Sequence, residues 1–327
     1  MVWLVFLIST ILIVVAAMQL AKYGDVIAVR TRLGGMFIGV LLLAGATSLP
    51  EVLTTISAVN QSVPNLAAGN LLGSNIFNML VLAILDLIHR KERILRKAAL
   101  KHALSGSLAI FLISLAVFFI LADIPTKIGW VGIDSIIILL AYFTAVRLIQ
   151  THQLHGSAPA AEVPEGTPSL WIGLFGFGLA AALLLIVTPW MVSASAEIAV
   201  ITGLGTTFIG TTLVALVTSL PELVTTISAL RLGADDMAIG NLFGSNLFNM
   251  FALGLTDIFY VGGRFLGVID PAFLLVGMLG LLMTGLGLIG NLIRLERRVF
   301  FVEIDALALM LLYFGGLWLL YSRGISP

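Results

Sequence analysis

Two glutamates, Glu51 and Glu222, each close a copy of one pentapeptide, Thr-Ser-Leu-Pro-Glu, and each copy sits in a long apolar stretch. Ionised carboxylates in hydrocarbon are costly even on lenient scales, so an intramembrane Glu is a functional candidate by default. The plain alternative is a protonated acid that joins helices by hydrogen bonding. On a helix, residues three and four apart share a side. Thr47 and Ser48 therefore face the same way as Glu51, and Thr218 and Ser219 the same way as Glu222. Pro50 has no amide hydrogen and crowds the carbonyl of Ala46; Pro221 does the same to Val217. Carbonyls freed deep in a membrane are tolerated where they bind something or line a wet cavity.

A second motif follows each first one: GNLLGSNIFN at 69–78 and GNLFGSNLFN at 240–249. Gly69 with Gly73, and Gly240 with Gly244, make the small-residue spacing that lets another helix approach closely. Ser74 and Asn78 share a face one turn apart, as do Ser245 and Asn249. For the Ser and Thr residues the competing reading is back-bonding to the preceding turn. For the Asn residues it is hydrogen bonding between helices. Asp86 and Asp257 also correspond, near span ends, and read as structural or as lining an ion access path. Glu197 reads as a solvated span end.

Carboxylates, hydroxyls, amide oxygens and carbonyls are all oxygen donors. Such a shell suits hard cations; Ca²⁺ takes about 6–8 oxygens. It does not suit zinc or copper, which favour nitrogen and sulfur. Two carboxylates with no counter-charge resist occlusion in hydrocarbon. One Ca²⁺, two or more Na⁺, or two protons would neutralise them, so the protein would change its facing only when loaded. That is exchange. A channel, by contrast, would conduct without a counter-ion. An intramembrane enzyme ranks last, because no Ser-His or metal-His constellation accompanies the glutamates.

The chain that must position these residues has 327 of them, 60% hydrophobic and 10% charged, with a mean hydropathy of +1.13. Soluble domains carry about 25% charged residues. The pattern predicts an all-α integral membrane protein with ten spans, at 2–21, 34–59, 64–86, 99–122, 128–149, 170–192, 204–230, 235–259, 270–293 and 301–321. The first reads as a span rather than a signal peptide, because it lacks a basic lead and its apolar run is too long. A Pro-, Gly- and Ser-bearing stretch at 151–169 reads as a cytoplasmic linker between halves 1–150 and 170–327. With the N-terminus outside, all 17 Lys and Arg residues except Lys127, Arg264 and Arg323 fall on the cytoplasmic side. The positive-inside rule thus predicts that both termini are extracytoplasmic. The run at 89–102 is mainly such a topology signal. Zero net charge gives no case for nucleic acid. The absence of cysteine excludes disulfides and thiolate metal sites. The four histidines, His89, His102, His152 and His155, lie in or beside polar loops.

The two halves are copies. Residues 37–60 and 208–231 are identical at 15 of 24 positions, at a constant offset of 171. The match continues without a gap into 69–79 and 240–250, identical at nine of eleven. Five spans per half is an odd number, so the second copy enters the membrane inverted. Inverted repeats place their binding site where the copies meet, which favours a secondary transporter.

These motifs resemble the alpha repeats of the calcium/cation antiporter superfamily, in its sodium/calcium exchanger branch, over the whole chain. The resemblance implies Na⁺-driven Ca²⁺ transport by alternating access, usually three Na⁺ for one Ca²⁺, with the first and sixth helices sliding across a fixed core. By family position it implies the ligands Thr47, Ser48, Glu51, Ser74 and Asn78, and Thr218, Ser219, Glu222, Ser245 and Asn249, with the carbonyls of Ala44 and Ala215 as possible additions. It implies no cofactor beyond the transported Na⁺ and Ca²⁺, no obligate protein partner besides membrane lipid, and a prokaryotic plasma membrane. Three positions depart from the pattern. Asn249 stands where microbial and potassium-dependent members often carry Asp, which argues against K⁺ co-transport. Ala46 and Val217 stand where Gly usually precedes the pentapeptide, which bears on the backbone geometry there. The proton-coupled branch typically shows G-N-x-x-E in place of TSLPE, so the resemblance favours Na⁺ as counter-ion, with H⁺-coupled Ca²⁺ antiport as the alternative.

Overall fold

The computed structural model describes residues 1–31, 45–88, 99–154, 166–231, 233–292, 298–299 and 302–324. The start of the second predicted span with Ala44, most of the basic run at 89–102, and the middle of the linker lie outside them. Among the described residues nine helices are long and apolar enough to cross a membrane. The second predicted span, 34–59, is represented by its later part from residue 45 onward.

In chain order the helices are α1 (Val2–Thr31), α2 (Leu49–Asn60), α3 (Pro64–Ile88), α4 (Ala99–Ala122), α5 (Ile133–Leu154) and α6 (Leu170–Thr202). The second half begins with α7 (Gly205–Ile209), a π-helical turn (Gly210–Val214), α8 (Ala215–Thr218) and α9 (Leu220–Arg231). It continues with α10 (Asp235–Phe259), a short α11 (Phe265–Val268), α12 (Phe273–Leu292) and α13 (Ile304–Gly324). Two-residue strands pair antiparallel in two hairpins, Lys127–Ile128 with Val131–Gly132 and Arg298–Val299 with Val302–Glu303, a small addition to the all-α expectation.

The motif-bearing helices are the interior. The most apolar stretch of the helix at Pro64–Leu87 is 94% buried, whereas that of α6 is 28% buried. A helix apolar all round that is also buried all round belongs at the centre of a bundle. On α6, Trp171, Phe175, Leu179, Leu185 and Ile186 are exposed and form a lipid-facing side. α1 and α6, the helices expected to slide, pack along each other. The backbone of Gly176 approaches the Tyr23 ring so closely that a Cβ there would lie 2.5 Å from it. Arg30, near the end of α1, donates to the carbonyls of Thr167 and Pro168 just before α6.

One turn repeats in both halves and sets the geometry of the site. After α2, Ser62 takes φ 60° and Val63 N–H donates to the Ala58 carbonyl at 3.0 Å. After α9, Gly233 takes φ 73° and Ala234 N–H donates to the Ala229 carbonyl at 2.9 Å. This left-handed closure satisfies the last helical carbonyls. It folds each Glu-bearing helix back along the Gly- and Asn-bearing helix that follows.

Asp257, at the end of α10, proves structural. It is fully buried and accepts from the backbone N–H groups of Gly132 and Phe265, each at 2.6 Å. Those bonds dock the loop between α4 and α5 and the start of α11 onto α10. Arg264 ties the same corner, pairing with Asp123 and, at 3.5 Å, with the buried Asp134. Asp257→Asn turns an amide N–H₂ toward one of those backbone donors. The expected loss is about 1–3 kcal/mol, read as a lower thermal unfolding midpoint of the detergent-purified protein.

Candidate cation site

Each pentapeptide breaks its helix. Ser48 sits between helical residues 45–47 and α2 with φ −89° and ψ 7°; Ser219 sits between α8 and α9 with φ −90° and ψ 3°. The break comes two residues ahead of the proline, which then occupies the first turn of the new helix, where its missing N–H costs least. Upstream of the second break the chain adds the π-turn at Gly210–Val214, a feature that recurs at functional sites. The Ala215 carbonyl accepts from Ser219 N–H at 3.0 Å and from the Thr218 hydroxyl at 3.3 Å, so it is engaged within its own helix.

The breaks aim the hydroxyls across the repeat boundary. Ser48 Oγ donates to Glu222 Oε1 at 2.9 Å, and Ser219 Oγ donates to Glu51 Oε1 at 3.1 Å. Exchanging each residue for its counterpart 171 positions away turns one bond into the other. Thr218 Oγ1 donates to Asn70 Oδ1 at 2.8 Å, and Thr47 Oγ1 reaches Asn241 Oδ1 at 3.5 Å. Thr218 Oγ1 also lies 3.2 Å from the Val214 carbonyl, the back-bonding contact given above as the alternative. The site is therefore one pseudo-twofold object, not two half-sites side by side.

Glu51 is 1% exposed and Glu222 is 0% exposed. Each spends one oxygen on the serine of the other repeat. The second carboxylate oxygens, Glu51 Oε2 and Glu222 Oε2, have no hydrogen-bond partner among the described residues. The same holds for Ser74 Oγ and Asn78 Oδ1, and for Ser245 Oγ and Asn249 Oδ1. Buried polar atoms are rarely left this way, because each costs about 1–3 kcal/mol unpaired. Here six such oxygens come from repeat-equivalent positions, and a cation would satisfy several of them together.

Asn78 and Asn249 make the bonds between helices given above as the alternative reading. Each donates its amide N–H₂, Asn78 to Asn246 Oδ1 at 2.9 Å and Asn249 to Asn75 Oδ1 at 3.0 Å. Neither Oδ1 has a hydrogen-bond partner among the described residues. Of the twelve ligands implied by the resemblance, the structure bonds Ser48 to Glu222 and Ser219 to Glu51, and sets Thr47 and Thr218 against Asn241 and Asn70 of the other repeat. It buries Ser74, Asn78, Ser245 and Asn249 on the helices beside them. Ala44 lies outside the described residues.

Four asparagines went unassigned in the sequence reading. Asn70 donates to the Glu51 carbonyl and to Thr55 Oγ1, both at 2.9 Å. Asn241 donates to Thr225 and Thr226 at 3.1 and 3.2 Å. Asn75 and Asn246 hold the amides of Asn249 and Asn78. The available signal was their identity across the repeat. The glycine pair of the first repeat does what its spacing predicted. A Cβ on Gly69 would lie 2.7 Å from Thr211 N, and one on Gly73 would lie 2.5 Å from Thr211 O. The departure at Ala46 is received by α1, since a Cβ on Gly24 would meet the Ala46 methyl at 3.4 Å.

Inverted-repeat secondary transporters bind cargo where two copies of a motif meet, and the fold and the shared oxygen site place the chain in that class. It belongs to the family described as sodium/calcium exchanger protein, whose sequence model matches residues 1–149 and 172–322. The chain is accordingly a membrane antiporter of the calcium/cation type and not an enzyme. It is 29% identical over 97% of both chains to a putative antiporter, CaxA, of Alkalimonas amylolytica. It is 28% identical to the sodium/calcium exchanger MaX1 of Methanosarcina acetivorans, over 79% of this chain and 83% of that one. Among solved structures, the H⁺/Ca²⁺ exchanger CAX superposes with a TM-score of 0.72 over 99% of this chain and 85% of that one, at 15% identity. The sodium-calcium exchanger NCX_Mj superposes with a TM-score of 0.60 over 97% of this chain and 99% of that one, at 22% identity.

Proposed function

We propose that the protein exchanges Na⁺ for Ca²⁺ by alternating access, with both ions bound between the repeats by Glu51 and Glu222. Thr47, Ser48, Ser74, Asn78, Thr218, Ser219, Ser245 and Asn249 supply the further oxygens, with the Ala44 and Ala215 carbonyls joining if the broken helices shift. The observation that carries this reading is the set of six buried, unpartnered oxygens in pseudo-twofold positions. Na⁺ is favoured over H⁺ because Asn249 contributes an amide that carries no titrating proton. The halves 1–150 and 170–327 act as the two repeats joined by a cytoplasmic linker. The chain lies in a prokaryotic plasma membrane with both termini outside.

The second reading is H⁺-coupled Ca²⁺ antiport, since two protons on Glu51 and Glu222 would neutralise the site as one Ca²⁺ does. Radiolabelled Ca²⁺ uptake into proteoliposomes, with Na⁺, H⁺ and K⁺ gradients imposed separately, tests the choice. A Na⁺ gradient alone is expected to drive uptake. Uptake driven by a proton gradient without Na⁺ would overturn the first reading in favour of the second.

A further inference from the structure

The two amides that face the site are held differently in the two repeats. Asn246 Nδ2 points at the backbone carbonyl of Asn75 at 3.4 Å and at Thr284 Oγ1 at 3.5 Å. A carbonyl only accepts, so the Asn246 amide has one workable orientation. Turning it would set oxygen against oxygen at Asn75 and nitrogen against nitrogen at Asn78. With Asn246 fixed, its Oδ1 receives the Asn78 N–H₂ at 2.9 Å, and Asn78 Oδ1 is left for the site. The Asn75 carbonyl thus sets the orientation, Thr284 Oγ1 on α12 offers a second acceptor to the same N–H₂, and Asn246 on α10 passes it to Asn78.

The other half has no such anchor. Asn75 Oδ1 receives the Asn249 N–H₂ at 3.0 Å, but Asn75 Nδ2 has no partner among the described residues. The position 171 residues before Thr284 is Ile113, on α4, which is fully buried and has no polar side-chain atom. If the amides of Asn75 and Asn249 turn together, the unpartnered Asn75 N–H₂ gains Asn249 Oδ1 as its acceptor. Asn249 then presents N–H₂ to the carboxylates, which is favourable when no cation is there.

We propose that Thr284 and Asn246 are positioning residues that hold Asn78 as a permanent oxygen ligand, whereas Asn249, whose amide bonds only Asn75 among the described residues, is free to turn. This rests on the cation-site reading above. Neither Thr284 nor Asn246 is among the ligands inferred from the sequence. Thr284 acts through Asn246, and Asn246 through Asn78, so neither touches the cation.

The test uses the full chain, with Ca²⁺ as the probe. Thr284→Val keeps the side-chain shape and removes the acceptor. It is expected to raise the Ca²⁺ concentration for half-maximal exchange about threefold, the scale of one weak hydrogen bond. The maximal rate should stay within about twofold, because the chemistry of the ligands is unchanged. Thr284→Ser restores the hydroxyl and should restore the wild-type value. Asn246→Ala should act in the same direction and more strongly, about tenfold. Asn75→Ala should act less than Asn246→Ala, because its partner amide is already free to turn. Ca²⁺-dependent elevation of the unfolding temperature, measured in parallel, reports binding without transport and covers any variant that transports poorly. Wild-type Ca²⁺ affinity in Thr284→Val, failure of Thr284→Ser to rescue, or equal effects of Asn75→Ala and Asn246→Ala would each overturn the proposal. Glu51→Gln, assayed alongside, separates the two levels. If it transports normally, the cation-site reading falls. If it is inactive while Thr284→Val binds Ca²⁺ like wild type, only the positioning role falls.

Discussion

Glu51→Gln and Glu222→Gln should each reduce cation exchange by about 100-fold or more while the bundle still folds. Gln has the shape of Glu and keeps an oxygen that accepts from Ser219 or Ser48, so the crossed hydrogen bonds survive. What is lost is one of the two charges that face a dication out of water. Removing one partner of a buried charge pair costs about 3–5 kcal/mol, and each 1.4 kcal/mol is about tenfold in affinity. Without a cation the sign reverses, since two carboxylates share one buried site with no counter-charge. The cation-free Gln variants should therefore unfold at the wild-type temperature or above it. Proteoliposome uptake and thermal unfolding with and without Ca²⁺ check both halves of the expectation. Near-normal exchange by either variant would remove that glutamate from the site.

Gly73→Ala should lower stability by about 1–3 kcal/mol and slow exchange with it. The added methyl would lie 2.5 Å from the Thr211 carbonyl oxygen and 2.8 Å from the Ala215 methyl. The first of these is backbone, so relief requires α3 and the π-turn to move apart. That π-turn leads through α8 to Thr218 and Ser219, so the strain is delivered to the site. Gly178→Ala is the control. A Cβ there meets nothing within 4 Å, on the lipid-facing side of α6, so a helix-favouring methyl should be neutral or mildly stabilising. A thermal midpoint for Gly73→Ala equal to that of Gly178→Ala would show that the close approach is dispensable.

The helical membrane class followed from hydropathy alone, because a bilayer demands long apolar segments with satisfied backbones. The chemistry of the site was also readable in one dimension. A carboxylate that survives in hydrocarbon needs a purpose, and two at a fixed repeat offset need a shared one. Glycine spacing marked the close helix contact for the same kind of reason, since only a missing Cβ permits it.

Pairing across the repeat was beyond reach of the sequence. Local periodicity says that Ser48 faces with Glu51 on its own helix. The structure shows that its hydroxyl serves Glu222 instead, and that Ser219 serves Glu51. Which partner a hydroxyl takes depends on how two distant segments pack, not on spacing along one of them. The same reason hid Asn70, Asn75, Asn241 and Asn246, whose amides join segments up to 174 residues apart. It left Asp257 open as well, which read as structural or as lining an access path until its two backbone donors were in view. The sequence by itself thus determined the two glutamates, the oxygen-only chemistry and the inverted duplication, all properties of residue type and repeat. Tertiary structure alone decided which oxygens are spent on one another and which have no partner among the described residues, because a hydrogen bond is settled only when both partners have a place in space.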